Sequence, residues 1–136
     1  MSMERTFAII KPGAVAAGHA GNIISMIERS KFTIVAMEKM TMTTAQAQEL
    51  YQEHKERSFF GEMVASMTST PIIVMVLERE NAVAAWRELM GATNPAQATL
   101  GTIRSLYGEN IGNNAVHGSD SLQSSARERG IFFPGL

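Results

Sequence analysis

Apolar residues fill both parities between positions 5 and 10, where Phe7, Ala8, Ile9 and Ile10 run together. A strand covered on both faces has this pattern. Residues 21–29 switch to helical spacing, with Ile23, Ile24 and Ile27 on one side. Partial alternation over 33–40, with Val35 and Met37 against Glu38, predicts a second strand. Thr43 and Gln46 make a capping box, and Ala47, Leu50, Tyr51 and His54 form the face of the helix it opens. A break at Arg57-Ser58, with Phe59 beside it, separates this helix from another whose stripe is Phe60, Met63, Val64 and Met67. Residues 71–77 form the most apolar run, which predicts a central strand. Asn81 is a candidate cap for a helix reaching Met90, with Val83, Trp86 and Met90 buried and Arg87 off the stripe.

No long element is visible over 91–113. Loops of that length in compact domains are commonly functional. Ala115-Val116 looks like a strand end. Asp120 with Gln123 forms a variant capping box for a last helix over 121–129, with Leu122 and Ala126 facing inward. The tail, with Ile131, Phe132 and Phe133, is apolar enough to need a cover. The order β-α-β-αα-β-α-loop-β-α contains two split β-α-β units. It predicts an α+β fold: a ferredoxin-like βαββαβ sandwich, with a mostly antiparallel four-stranded sheet and helices on one face.

Candidate chemistry gathers at 113–121. His117, one of three histidines, precedes Gly118, and the predicted placement lies between a strand end and a helix N-terminus. Backbone N–H groups there favour anions. A neutral imidazole is a usable nucleophile, so phosphoryl chemistry is one reading; an ordinary hydrogen-bonded histidine at a strand end is the other. Other positions are similarly open. Lys11, held extended by Pro12, could reach a phosphate or be solvated. Arg87 could be solvated or contact an anion. Phe59 could plug the core or stack on a ligand.

Composition narrows the classes. A chain of 136 residues, 45% hydrophobic and 18% charged, fits a single globular domain spanning 1–136. A net charge of −1 gives no general pull toward nucleic acid or an anionic membrane. The chain has no cysteine, which excludes disulfides and thiol catalysis and suits a reducing compartment. No signal-peptide pattern or membrane-length apolar run occurs, so a cytoplasmic protein is expected. The P-loop, the dinucleotide-binding glycine motif, the protein-kinase motifs and the hydrolase nucleophile elbow are all missing from the sequence.

The run Asn114-Ala115-Val116-His117-Gly118-Ser119-Asp120-Ser121 resembles the active-site signature of the nucleoside diphosphate kinases. So do Arg5-Thr6-Phe7-Ala8-Ile9-Ile10-Lys11-Pro12, Tyr51-Gln52-Glu53-His54-Lys55 and Gly101-Thr102-Ile103-Arg104, in the same order and over essentially the whole chain. The short tail looks like that of the bacterial members. The resemblance implies a ferredoxin-like fold with a long nucleotide-binding loop. It also implies ping-pong transfer of a γ-phosphoryl group from a nucleoside triphosphate to a diphosphate, ribo or deoxyribo, through a phosphohistidine on His117. Glu128 would orient the imidazole together with Ser119, and Tyr51 would lie against it. Lys11, Arg87, Arg104 and Thr93 would hold phosphates, Asn114 and Lys11 would reach the ribose, and Phe59 and Ile111 would sandwich the base. Mg²⁺ would be carried by the nucleotide phosphates, with no direct protein ligand. A homo-oligomer is implied, a tetramer or hexamer built from dimers, with no membrane and no specific nucleic acid as partner. The chain departs from the family at Ser58 and Leu100, where proline is usual, and at Leu106, where aspartate is usual. The competing class is a non-catalytic nucleotide- or nucleic-acid-binding regulator on the same fold. An intact set of His117, Lys11, Arg87, Arg104 and Glu128 argues against it, because a binder has no need of the nucleophile.

Overall fold

The structure, a computed structural model, describes residues 3–136. Its elements are β1 (Met3–Ile10), α1 (Pro12–Ala16), α2 (Ala20–Arg29), β2 (Thr33–Met40), α3 (Thr44–Leu50), α4 (Phe60–Thr68), β3 (Ile72–Glu80), α5 (Ala82–Met90), α6 (Ile103–Tyr107), β4 (Val116–Gly118) and α7 (Leu122–Phe132). Short 3₁₀ turns occupy Gln52–His54 and Pro95–Gln97. The sheet order is β2-β3-β1-β4, and every neighbouring pair is antiparallel. This is the ferredoxin-like arrangement, with the two most apolar strands, β1 and β3, inside.

The sheet is covered on both faces, which corrects the expectation of helices on one face only. Ala8, Ile10, Met75 and Leu77 meet Ile23 and Ile27 of α2 and Trp86 and Met90 of α5. Phe7, Ile9, Ile72 and Val74 meet α3, α4 and the tail residues Ile131, Phe132 and Phe133. The unbroken apolar runs of β1 and β3 follow from this double coverage. Trp86 is fully buried, and truncating such a side chain costs roughly 3–5 kcal/mol. The tail therefore finds its cover within the chain, with Phe132 stacked on Phe7 at 5.1 Å between ring centroids.

Local signals divide into those that hold and those that do not. The Thr43–Gln46 capping box forms in both directions. Asn81 is no side-chain cap: it turns the chain with a left-handed φ of 51°, and Glu4 accepts the N–H of Val83 instead. Lys11-Pro12-Gly13 opens the short helix α1, with Lys11 as its N-cap and proline in the first turn, where a missing N–H costs nothing. Ser121, not Asp120, caps α7 by accepting from Ser124 N–H. Leu122 and Ala126 face solvent; the buried positions of α7 are Ser125 and Glu128. Met37, expected inside, is 51% exposed because β2 is an edge strand.

Candidate active site

His117 lies within β4 rather than beyond its end, paired across the sheet with Ile9 of β1. Its ring therefore emerges on the face of Phe7, which meets it edge-on at 6.3 Å, and of Tyr51, which meets it edge-on at 6.1 Å. The imidazole Nε2 stands 2.8 Å from Glu128 Oε1, and Ser119 Oγ donates to the same oxygen at 3.0 Å. An ionised carboxylate only accepts, so Nε2 carries the proton and Nδ1 keeps its lone pair. Glu128 and Ser119 are buried, which explains why α7 turns a polar face inward. Burial, and then the Glu128 charge, push the Tyr51 hydroxyl pKa up, so it remains a neutral phenol.

The backbone holding His117 is tightly made. Val116 N–H donates to Asn114 O at 2.9 Å across Ala115, whose φ is +74°; these are the features of a γ-turn, a rare and strained form for a non-glycine residue. Lys11 N–H holds the Ala115 carbonyl at 2.8 Å. After the histidine, Gly118 is required, since a Cβ there would stand about 2.5 Å from Trp86 Cδ1. The Trp86 indole N–H donates to the His117 carbonyl at 3.2 Å.

Three cations face the imidazole from different elements. Lys11 Nζ donates to Asn114 Oδ1 at 2.7 Å, and burial, followed by repulsion from Arg104, lowers its pKa to about 8. Asn114 also donates to Thr93 O at 3.0 Å, which ties the strained turn to the long loop. Arg104, from α6, is buried and donates to the carbonyls of Asn114, Gly91 and Val116. Its own pKa is lowered to about 10, by burial first and the Arg87 charge second. Arg87, at the end of α5, forms an ion pair with Asp120 at 2.6 Å.

Two chambers meet at Lys11, Tyr51, Met63, Ile111 and His117. The first, about 460 Å³, adds Arg87, Thr93, Arg104, Asn114, Asp120 and Glu128. The second, about 530 Å³, adds Phe59, Met67 and Gly112 and is the more apolar. Phe59 is 41% exposed and Ile111 60% exposed, at the rim. Ile111 rides on a short turn in which Glu109 N–H donates to Asn113 O and Asn113 Nδ2 to Glu109 Oε2, both at 2.9 Å. All eleven residues singled out in the sequence thus come to one cleft, Ser119 from beneath through Glu128. Sequence reasoning gave no site role to Ala115, whose type carries no signal for a left-handed φ, or to Asp120, read only as a cap. Trp86 was read only as core. A wider groove of about 840 Å³ near Ser30, Arg79 and Thr102 contains no histidine, and its Arg79 is engaged with the Ser30 and Glu80 carbonyls. Among the described residues, no three His, Asp or Glu side chains gather as a metal-binding group, and no helix is long and apolar enough to cross a membrane.

The chain is similar to known proteins over nearly its full length. Residues 4–136 match the family model described as nucleoside diphosphate kinase. A protein of that name from Phenylobacterium zucineum is 55% identical over 130 residues, which cover 96% of this chain and 94% of the relative. One from Sorangium cellulosum is 52% identical over 135 residues, covering 99% and 94%. Among solved structures, the Aquifex aeolicus nucleoside diphosphate kinase superposes with a TM-score of 0.96 at 37% identity, covering 98% of this chain and 97% of that one. A halophilic nucleoside diphosphate kinase from Halobacterium salinarum, solved in complex with CDP, gives 0.94 at 38% identity, covering 97% and 88%.

Proposed function

Because the chain belongs to the nucleoside diphosphate kinase family and is a phosphotransferase of that kind, we propose that it works by ping-pong transfer through a phosphohistidine on His117. The observation that carries this reading is the imidazole fixed by a buried carboxylate at Nε2, with three cations around it. In the first half-reaction the Nδ1 lone pair attacks the γ-phosphorus. A nitrogen–phosphorus bond forms, the bond from the γ-phosphorus to the bridging oxygen breaks, and the nucleoside diphosphate leaves with that electron pair. The second half-reaction runs the same exchange backwards onto another diphosphate. Glu128 accepts from Nε2–H throughout and stabilises the positive charge that develops on the ring, while Ser119 holds the carboxylate in place. Lys11, Arg104, Arg87 and Thr93 hold and neutralise the phosphates; phosphoryl transfer needs mainly such positioning. Tyr51 excludes water beside the ring.

Phe59 and Ile111 clamp the base and Asn114 and Lys11 reach the ribose. Stacking uses a face that every base has, so nucleotides of all bases are substrates; that both ribo- and deoxyribonucleotides are used is what the family resemblance implies. Mg²⁺ would supply charge neutralisation on the phosphates and would arrive with the nucleotide; it needs few protein ligands, and the Glu53 carboxylate in the cleft lining would suit contact through its water shell. The absence of cysteine suits work in the cytoplasm. Assembly as a tetramer or hexamer of dimers draws support from the open edge of β2 with its exposed Met37. The apolar tail lends none, being packed within its own chain.

The test mixes labelled triphosphate with the protein alone, then adds a different diphosphate. Acid-labile label on the protein, discharged by the diphosphate, together with parallel lines in double-reciprocal plots, is the expected result. Intersecting lines with no phosphoenzyme would mean direct transfer between two bound nucleotides and would remove the covalent role of His117.

A further inference from the structure

The three cations of the phosphate chamber are held in different ways before any ligand arrives. Lys11 rests on the neutral amide oxygen of Asn114, and Arg104 rests on three neutral carbonyls. Arg87 is the one of the three paired with an anion, Asp120 Oδ1 at 2.6 Å. A neutral acceptor leaves the cation's charge intact for a phosphate; a carboxylate cancels it. Asp120 follows His117 closely in sequence and lines the same chamber. The backbones behind the pair are locked together, since Trp86, next to Arg87, bonds the His117 carbonyl and Gly118 packs on Trp86 and Met90. Asp120 thus follows a backbone stretch tied to the helix that carries Arg87. The pair can separate by side-chain rotation, for which both partners, 49% and 72% exposed, have room.

We propose that Asp120 is a positioning residue that competes with nucleotide phosphate for Arg87. It holds the guanidinium when the chamber is free, yields it when a phosphate enters, and takes it back as the diphosphate leaves. No covalent bond changes; Arg87 exchanges one charge-assisted hydrogen bond for another. The exchange offsets part of the phosphate affinity. Offsetting matters in a reaction that uses one chamber twice, because the first diphosphate has to leave before the next enters, and over-tight ground-state binding slows turnover. The inference rests on the cleft being the nucleotide site, but not on His117 being the nucleophile.

Equilibrium binding of ADP to the unphosphorylated protein tests it, using the parent, Asp120→Asn, Arg87→Ala and the double variant. Asp120→Asn is expected to bind ADP about two- to fivefold more tightly, the scale of a partly exposed ion pair. KM for the diphosphate falls in step, and kcat falls as release slows. In the Arg87→Ala background the same substitution leaves affinity unchanged. Asp120→Ser, read in the same assay, provides a second removal of the carboxylate, and Asp120→Glu restores parental affinity. Unchanged or weaker binding in Asp120→Asn and Asp120→Ser overturns the proposal. So does a gain that persists without Arg87, which would be general charge repulsion. A parent that does not bind ADP overturns the nucleotide-site reading itself, and this inference with it; a parent that binds, with no gain in the variants, overturns this inference alone.

Discussion

The two chambers that meet at His117 are built on opposite plans. The phosphate chamber is walled by groups already bonded to the fold: Arg104 to three carbonyls, Asn114 to Lys11 and Thr93, and Glu128 to the imidazole and Ser119. The base chamber ends in two half-open apolar side chains, Phe59 and Ile111, one at a helix start and one on a turn. Transferring a phosphoryl group demands charges fixed before the substrate arrives, since reorganising them during the reaction raises the barrier. Accepting any base demands only a flat apolar slot. On the proposed reading, rigidity is concentrated where the chemistry is, and tolerance where it is not.

The comparison breaks most sharply at the nucleophile. His117→Gln is expected to lower transfer by more than about a thousandfold, roughly 4 kcal/mol of barrier, while nucleotide still binds. Residual transfer within about tenfold of the parent would remove the imidazole from the mechanism. Next comes a contrast in stability between two arginines. Arg104→Ala leaves three buried carbonyls without their donor and should cost on the order of 3 kcal/mol in chemical denaturation, with lysine a poor substitute. Arg87→Ala, losing an exposed ion pair, should stay within about 1 kcal/mol of the parent. Equal losses would mean that the phosphate chamber is not pre-bonded in the sense drawn above. On the other side, Phe59→Ala should weaken all bases alike, by about 1–3 kcal/mol, measured by titration with four diphosphates. A loss confined to one base would point to hydrogen-bond readout.

The smallest effect is one of pH. Lys11 is charged below about pH 8 and loses its proton above it, so diphosphate affinity should fall as pH rises through that value, at most tenfold per unit. Lys11→Arg should flatten that decline, since a guanidinium stays charged. The contribution of Lys11 to folding runs the other way. Between about 8 and 10.5 the unfolded chain keeps a proton that the folded chain has released, so stability from this group rises with pH. Affinity and stability profiles that move in the same direction over this window would contradict the burial of Lys11.

What could be read from the sequence depended on whether burial served packing or the site. Strands β1 and β3 and helix α5 were legible because their buried positions are apolar and periodic. Helix α7 was misread because its buried positions are Ser125 and Glu128, polar residues that hold β1 and His117; Ser125 Oγ donates to the Arg5 carbonyl. An apolar count points to Leu122 and Ala126, on the wrong side. Asn81 and Asp120 were read as caps from their type, which is blind to a left-handed φ in one case and to a distant arginine in the other. The second helical layer was hidden because each helix pattern states which of its sides is apolar, not which face of the sheet receives it. The cleft was found as a set through the resemblance of whole motifs, since Lys11, Phe59 and Arg87 each had an ordinary alternative taken singly.

Trp86 is the one tryptophan in the chain, and its indole N–H is donated to the carbonyl of the residue proposed to carry the phosphoryl group. The protein therefore contains its own optical probe. Strand β4 is short, but Val116 is fully buried and its carbonyl is held by Arg104, so it should leave the sheet only as the core itself loosens. Its departure would strip the indole of its partner and admit water beside it. Emission should then shift together with the loss of helical signal, and a fluorimeter can follow the seating of His117 with no label attached.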